Sequence, residues 1–336
     1  MTALTMAKAI NAGLRRSLAE DDRVVLMGED IGTLGGVFRV TDGLQTEFGP
    51  RRVMDSPLAE SGILGTAVGM AYRGLRPVVE IQFDGFIYPA FDQIVSQVAR
   101  MHYRTAGAVR MPITIRVPFA GGIGAAEHHS DSPEAYFAHA AGLRVVSPST
   151  PQDAYTLIRQ AIASDDPVLF FEPKRRYHAK GEVDEEAALE DARPMGTARV
   201  LTQGGDVTLV TYGGLVQMAA DAALAAEDEG VSVEVIDLRS LSPLDLDTVA
   251  ASVRKTGRLV VTHEAALSGG LGAEISASIT ERCFYHLEHA PVRVTGHDIP
   301  YPPAKLEAAH LPDLDRILDG IDRVMDRPNS LSGVED

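Results

Sequence analysis

The chain has 336 residues, 45% of them apolar, with a net charge of −16 and a single cysteine. A chain of that length and composition buries enough surface to fold as two domains of roughly 150 residues each, without disulfides or structural metal. The lone thiol, Cys283, excludes an intramolecular disulfide and a multi-cysteine zinc centre, and the acidity opposes general binding to nucleic acid or anionic membranes.

The opening segment MTALTMAKAINAGLRRSLAEDDR places apolar residues at helical spacing and ends in charge. That predicts a first helix and not the unbroken apolar core of a secretion signal. A strand at Val24–Met27, a helix at Ser61–Tyr72, a strand at Pro77–Ile81, a helix at Pro89–Tyr103 and a strand at Pro112–Val117 follow. Leu143–Val146, the helical Pro151–Ala163 and Pro167–Phe171 continue the alternation. Strands apolar on both faces and separated by helices predict parallel sheets covered on both sides.

The acidic stretch Gly181–Asp191 has almost no β-branched residues and reads as a linker, over about 181–200, between a first domain at 1–180 and a second at 201–326. The rhythm restarts with strands at Val207–Tyr212, Val233–Asp237, Leu259–Thr262 and Val292–Val294 and helices at Leu215–Glu229, Leu244–Arg254 and Leu271–Cys283. The Pro-rich Asp298–Pro312 is expected to run extended before a last helix, Leu314–Met325, with 327–336 disordered. The longest weakly polar run, Gly62–Tyr72, is far short of the ~20 apolar residues a membrane span needs, so a soluble, cytoplasmic protein is expected.

Ligands of parallel sheets bind beyond the carboxyl ends of the strands, so the loops there are the candidate sites. In DSPLAESGILGTAVG, residues 55–69, Glu60 is a lone carboxylate among Leu58, Ile63 and Leu64. It is either a helix-start acid favoured by the macrodipole or, if desolvated, a proton donor near neutral pH. In VPFAGGIGAAEHHSDSPEAYFAH, residues 117–139, a Gly-rich loop leads to Glu127, His128, His129 and Asp131. Adjacent histidines in extended backbone face opposite sides, so at most one is expected at a common site, and metal binding by the pair is not favoured. Phe83, Phe86, Tyr88 and Phe91 cluster after a strand and form either a stacking wall for a planar ring or core. In HEAALSGGLGAEI, residues 263–275, Ser268, Gly269 and Gly270 lead into a helix that could cradle an anion, although tight strand-to-helix packing explains them equally.

Several separated motifs occur together: GED at 28–30, GGVFRVTDGL, PLAESGI, PAFDQI, HHSDSPE, GLRVVSPSTPQDA, DPVLFFEPK, EVIDLRSLSPLD, and TGRLVVTHEA with SGGLGAEI. In this order they resemble the beta subunit of the thiamine-diphosphate-dependent 2-oxo acid dehydrogenases, over nearly all of residues 2–326. The resemblance implies an α/β fold of two parallel-sheet domains, a pyrimidine-binding thiamine diphosphate domain and a transketolase C-terminal-like domain. It implies that Glu60 hydrogen-bonds the cofactor's aminopyrimidine, that Phe86, Gln82 and Leu58 line that ring, and that His129 assists acyl transfer to lipoamide. For a structural potassium ion it implies Ile113, Ala161, Ile162, Ser164 and Asp166, with Ser164 standing where many relatives carry aspartate.

No GDG motif, which in these enzymes introduces the magnesium ligands, occurs in the 336 residues. The resemblance therefore implies that magnesium and the diphosphate are held by a separate alpha subunit in an α2β2 heterotetramer, served by a lipoyl-bearing dihydrolipoyl acyltransferase core. The expected reaction is oxidative decarboxylation of a 2-oxo acid with reductive acylation of lipoyl groups. QFDGFIYPAFDQI and FFEPKRRY favour a branched-chain substrate over pyruvate (or acetoin), and the competing reading from a different class is a non-catalytic scaffolding or electron-transfer subunit.

Overall fold

A computed structural model describes residues 1–327, so the tail expected to be disordered falls, apart from its first residue, outside the described residues. The chain divides into two compact units, one of residues 1–123, 128–195 and 240–243 and the other of 124–127, 196–239 and 244 onward.

In the first unit β1 (Thr2–Thr5) leads into α1 (Met6–Glu20), β2 (Val24–Gly28), α2 (Leu44–Phe48), β3 (Val53–Asp55), α3 (Glu60–Tyr72) and β4 (Arg76–Glu80). A 3-10 helix, Asp84–Ala90, and a π-helical turn, Gln93–Val98, precede α4 (Met101–Arg104) and β5 (Thr114–Phe119). Then come a 3-10 turn ending at His129, α5 (Glu134–Ala138), β6 (Arg144–Val146), α6 (Pro151–Ala163), β7 (Val168–Pro173) and β8 (Lys180–Val183).

Two short elements depart from the periodicity. Thr2–Thr5 pairs antiparallel with Lys180–Val183, so the first helix starts only at Met6 and the acidic stretch begins as a strand. Backbone pairing decides both, and it leaves no hydrophobic period to read. The continuous helix expected over Pro89–Tyr103 is instead the 3-10, π and α4 series. Pro89 lies inside the 3-10 helix, and the departure from α geometry continues after it: Ala99 N bonds back five residues to Ile94 O at 2.9 Å, the wider spacing of the π segment.

Side chains satisfy orphan amides at the starts of α1 and α6. The Thr5 side chain accepts from Lys8 N at 3.3 Å, and at α6 Thr150 accepts from Asp153 N while Pro151 takes the first helical position. α1 packs along α6, burying Ile10 and Leu14 against Leu157 and Ile158 in a core that also holds Leu26 and Phe170. At their crossing Gly13 is required: a Cβ there would lie 2.4 Å from Ile158 Cγ2.

The second unit contains β9 (Arg199–Thr202), β10 (Val207–Thr211), α7 (Val216–Asp228) and β11 (Val233–Asp237). After β12 (Ser240–Ser242), which belongs to the first unit, it continues with α8 (Leu246–Thr256), β13 (Leu259–Ala266), α9 (Leu271–Cys283), β14 (Val292–Gly296), α10 (Glu307–His310) and α11 (Leu314–Val324). The Pro-rich stretch expected to be extended thus carries the short helix α10. Its core sets Leu209, Val235 and Val260 of the sheet against Ile317 and Ile321 of α11.

The first unit's main sheet has the order β12-β6-β7-β5-β4-β2-β3 and the second unit's β14-β13-β10-β11-β9. Both are parallel except for an antiparallel edge strand, β12 in one and β9 in the other. The predicted parallel α/β class is therefore what forms, with edge strands added by backbone pairing. Among the described residues no helix is long and apolar enough to cross a membrane.

Candidate active site

Because β2, β3, β4 and β5 run parallel, their carboxyl ends at Gly28, Asp55, Glu80 and Phe119 share one edge of the first unit's sheet. Glu29, Leu58, Glu60, Gln82 and Phe86 follow directly from that edge, and α3 packs on the 3-10 helix that carries Phe86.

Glu60 opens α3, where the macrodipole favours a carboxylate, and it is only 7% exposed. Among the described residues no group hydrogen-bonds its carboxylate. Nearby Glu29 has a buried Oε2 without a partner. Its carboxyl is pushed up by burial first, and then by the charges of Asp30 and Glu60. Two acids without protein partners in one desolvated corner form an arrangement that a ligand donor or a shared proton would relieve.

The 3-10 helix that packs on α3 belongs to an aromatic cluster. Phe83 stacks on the His129 imidazole at 3.9 Å between centroids with 18° between planes, and Phe86 meets the same ring edge-on at 5.2 Å. Phe38 packs on Phe83 and on Tyr177, at 5.5 and 4.9 Å. Phe91 turns away to Phe137, so the four aromatics divide between the histidine and other packing. His128 and His129 were expected to face opposite ways, but the 3-10 turn brings their rings within 4.3 Å, and both lie against Phe86. Extended geometry was the wrong premise for that loop.

His129 Nδ1 lies 2.9 Å from the His128 carbonyl oxygen. A carbonyl only accepts, so Nδ1 carries the hydrogen and Nε2 is the atom left for proton exchange. Leu58 is 63% exposed on the loop before α3, and Gln82 is half-buried just before the aromatic cluster.

Beneath the aromatics lies a layer of buried charge that sequence reasoning missed. Arg116 donates to Glu172 at 2.7 and 3.0 Å and to Glu80 at 2.5 Å, and the Tyr177 hydroxyl donates to Glu172 at 2.6 Å. Burial pushes the Glu80 carboxyl up, against the pull of Arg116, while Arg116 stays charged between two acids. Beside it the fully buried Lys174 donates to Asp84 at 2.8 Å. Burial outweighs that partner and raises Asp84 to about 7. The available signal was a charged residue within or at the end of three largely apolar strands, at Glu80, Arg116 and Glu172.

The residues that the resemblance assigns to potassium lie at the opposite, amino-terminal ends of β5 and β7, away from this corner. Their oxygens already accept hydrogen bonds. Ile113 O takes Val168 N, Ala161 O takes Ser164 N, the Ile162 and Ser164 carbonyls take Arg76 Nη1 at 3.1 and 2.9 Å, and the Asp166 carboxylate takes Arg144. A cation there would draw on the lone pairs that these bonds leave, with Asp166 Oδ2 alone of its carboxylate taken by Arg144. Among the described residues no group of three or more His, Cys, Asp or Glu side chains is placed to hold a metal ion. In the second unit the Ser268 turn is occupied from within: Asp298 accepts from the Ser268 amide at 2.9 Å and from its hydroxyl at 2.5 Å. The Ser268 donors ahead of that helix are thus taken by the chain's own carboxylate, which they hold low, and the Gly272 amide of the helix start donates to His263 Nε2 at 3.0 Å.

Residues 2–180 match the transketolase pyrimidine binding domain and residues 196–317 the transketolase C-terminal domain. The chain is 58% identical to the pyruvate dehydrogenase E1 component subunit beta of Leifsonia xyli subsp. xyli, covering 95% of this chain and 94% of that one. It is 56% identical to the 3-methyl-2-oxobutanoate dehydrogenase subunit beta of Mycobacterium tuberculosis, over 97% and 93% of the two chains. To the 2-oxoisovalerate dehydrogenase subunit beta of Pseudomonas aeruginosa it is 46% identical, over 97% and 96%. Among solved structures, a split gene transketolase described as an inactive beta4 tetramer superposes with a TM-score of 0.78 at 22% identity, over 96% of this chain and 98% of that one, which speaks to the fold alone.

Proposed function

The chain belongs to the family of 2-oxo acid dehydrogenase E1 beta subunits, and from that premise we propose that it supplies the pyrimidine half of a thiamine diphosphate site. The observation that carries the reading is the buried Glu60 carboxylate, without a protein donor, on the sheet edge that also holds the Phe83, Phe86 and His129 cluster. A carboxyl excluded from water can share a proton with a ring nitrogen, and an aromatic face beside it can hold a planar ring. Bound there, thiamine diphosphate supplies a carbanion that adds to the 2-oxo carbon and an electron sink for loss of carbon dioxide.

The chain's own residues have distinct tasks in this reading. Glu60 hydrogen-bonds the aminopyrimidine and exchanges a proton with it, beside Glu29, whose own carboxyl is raised by burial and then by the charges of Asp30 and Glu60. Phe86, Gln82 and Leu58 line the ring. His129, oriented by Phe83 and presenting Nε2, gives a proton to the lipoyl sulfur that leaves when the disulfide is opened. Magnesium and the diphosphate fall to an alpha subunit, because the GDG motif is absent from this sequence. The working form is then a cytoplasmic α2β2 heterotetramer that serves a lipoyl-bearing dihydrolipoyl acyltransferase.

The substrate we favour is a branched-chain 2-oxo acid, on the motifs around residues 81–94 and 170–177 and the relatives named for 3-methyl-2-oxobutanoate and 2-oxoisovalerate. Pyruvate is the second reading, favoured by the 58% identical relative. The test co-expresses the chain with an alpha subunit and measures oxidation of 2-oxoisovalerate and of pyruvate with an artificial electron acceptor. Activity should require both chains and prefer the branched substrate. Full activity of this chain alone, or none with either acid once assembled, would overturn the proposal.

A further inference from the structure

We propose that Gly85 is a positioning residue for His129, acting through the His128 carbonyl; this rests on the reading of His129 as the proton donor to lipoyl sulfur. The bond that sets the His129 tautomer, from Nδ1 to the His128 carbonyl at 2.9 Å, spans neighbouring residues and would be lost to a small rotation of one peptide plane. The absence of a side chain at Gly85 leaves the room that this plane occupies. A Cβ built on Gly85 would lie 2.4 Å from His128 O and 3.0 Å from His128 C and Cα, so the carbonyl occupies the space that any side chain at position 85 would take. An alanine there must push the peptide away.

The segment around Gly85 is fixed on both sides. Asp84, immediately before it, pairs with Lys174 at 2.8 Å with both side chains fully buried. Three residues after it, the Tyr88 hydroxyl donates to Asp131, whose backbone oxygen accepts from Ala120 N at 2.8 Å. Phe83, two residues before, lies flat on the His129 ring, and Phe86, one residue after, meets it edge-on. One short segment, residues 83–88, therefore determines the plane, rotation and tautomer of the imidazole.

The chemical consequence is selective. During acyl transfer a carbon–sulfur bond forms to one lipoyl sulfur and the sulfur–sulfur bond breaks. The two electrons that the acyl carbon loses reduce the disulfide, the departing sulfur takes a proton, and the transfer would be completed when that carbon's hydroxyl loses its proton and its bond to the cofactor breaks with the electron pair returning to the cofactor. When the protonated His129 gives up its Nε2 hydrogen, the neutral ring that remains is the Nδ1–H tautomer, already bonded to the His128 carbonyl. Without that carbonyl either nitrogen can lose the proton, and the donor facing the sulfur is no longer defined. Decarboxylation precedes this step and does not need it.

The experiment uses the enzyme assembled with its alpha subunit and compares two readouts: decarboxylation of 2-oxoisovalerate with an artificial electron acceptor, and reductive acylation of a lipoyl domain. Gly85→Ala should lower kcat for reductive acylation at least tenfold and alter its pH profile, while decarboxylation stays within twofold. In a His129→Ala background the same substitution should add less than twofold. Tyr88→Phe, a milder change that keeps the ring, should lower acylation about threefold with the same selectivity. Equal losses in both reactions, or an unchanged acylation rate and pH profile in Gly85→Ala, would overturn the proposal. If His129→Ala itself leaves acylation intact, the role of His129 fails and takes the positioning role with it. That outcome differs from a failure at Gly85 alone, in which His129→Ala is impaired and Gly85→Ala is not.

Discussion

Replacing Glu60 by glutamine separates function from stability. The side chain keeps its volume but can no longer carry a proton to a ring nitrogen, and loss of a positioned general acid or base costs about 10²–10⁴ in rate. That corresponds to roughly 3–5 kcal/mol of barrier. The folded chain should respond in the opposite direction. Glu60 is buried without a protein hydrogen-bond donor and raises the neighbouring Glu29 carboxyl, so a neutral amide removes both a desolvated charge and a repulsion. A gain of about 1 kcal/mol is expected from the desolvation difference, a rise of roughly 2–4 °C in Tm. The sign with pH follows. A carboxyl raised in the folded state is penalised as pH climbs from its ordinary value, near 4.5, toward the raised one, and removing one cause at Glu29 shrinks that loss. Decarboxylation by the assembled enzyme and thermal unfolding of the same preparation at pH 5 and pH 7.5 measure both effects. Turnover within tenfold of the parent, or a loss of more than about 1 kcal/mol in stability, would refute the reasoning that this site trades stability for chemistry.

Two further outcomes concern the scaffold. Lys174→Met leaves Asp84 buried without its cation and should cost about 3–5 kcal/mol at pH 8 in urea unfolding. Because the folded-state pKa of Asp84 is raised to about 7 by burial, its contribution is present at low pH and lost as pH rises from about 3.8 through 7. The penalty in Lys174→Met should therefore be smaller at pH 6, and Asp84→Asn in the same chain should recover most of it; a pH-independent loss would show that the carboxylate is not its source. Gly13→Ala should destabilise by about 1–2 kcal/mol, because overpacking against Ile158 outweighs the gain in helix propensity. Thermal unfolding with Ile158→Leu added, which removes Cγ2, should restore part of the loss, and a stabilised Gly13→Ala would contradict the tight crossing of α1 and α6.

Much of this protein was legible in its sequence, because the signals involved are local or periodic. The apolar runs at Val24, Val78, Ile115 and Leu169 become central strands buried on both faces, and the helices at Pro151–Ala163 and Leu271–Cys283 have the bounds that their patterns indicate. Glu60 stood out as an acid within an apolar, small-residue helix start, and its burial is what that surrounding composition permits. Only the tertiary structure decided what depends on partners distant in the chain. Thr2–Thr5 becomes a strand because Lys180–Val183 lies beside it, and Ser268 meets Asp298 instead of a foreign anion. Glu80, Arg116 and Glu172 pair only once three parallel strands align. His128 and His129 share one side because a 3-10 turn replaces the extended backbone that the sequence suggested. Periodicity records which face of an element is buried, but the identity of the group across the interface is set by chain topology, and no local pattern encodes it.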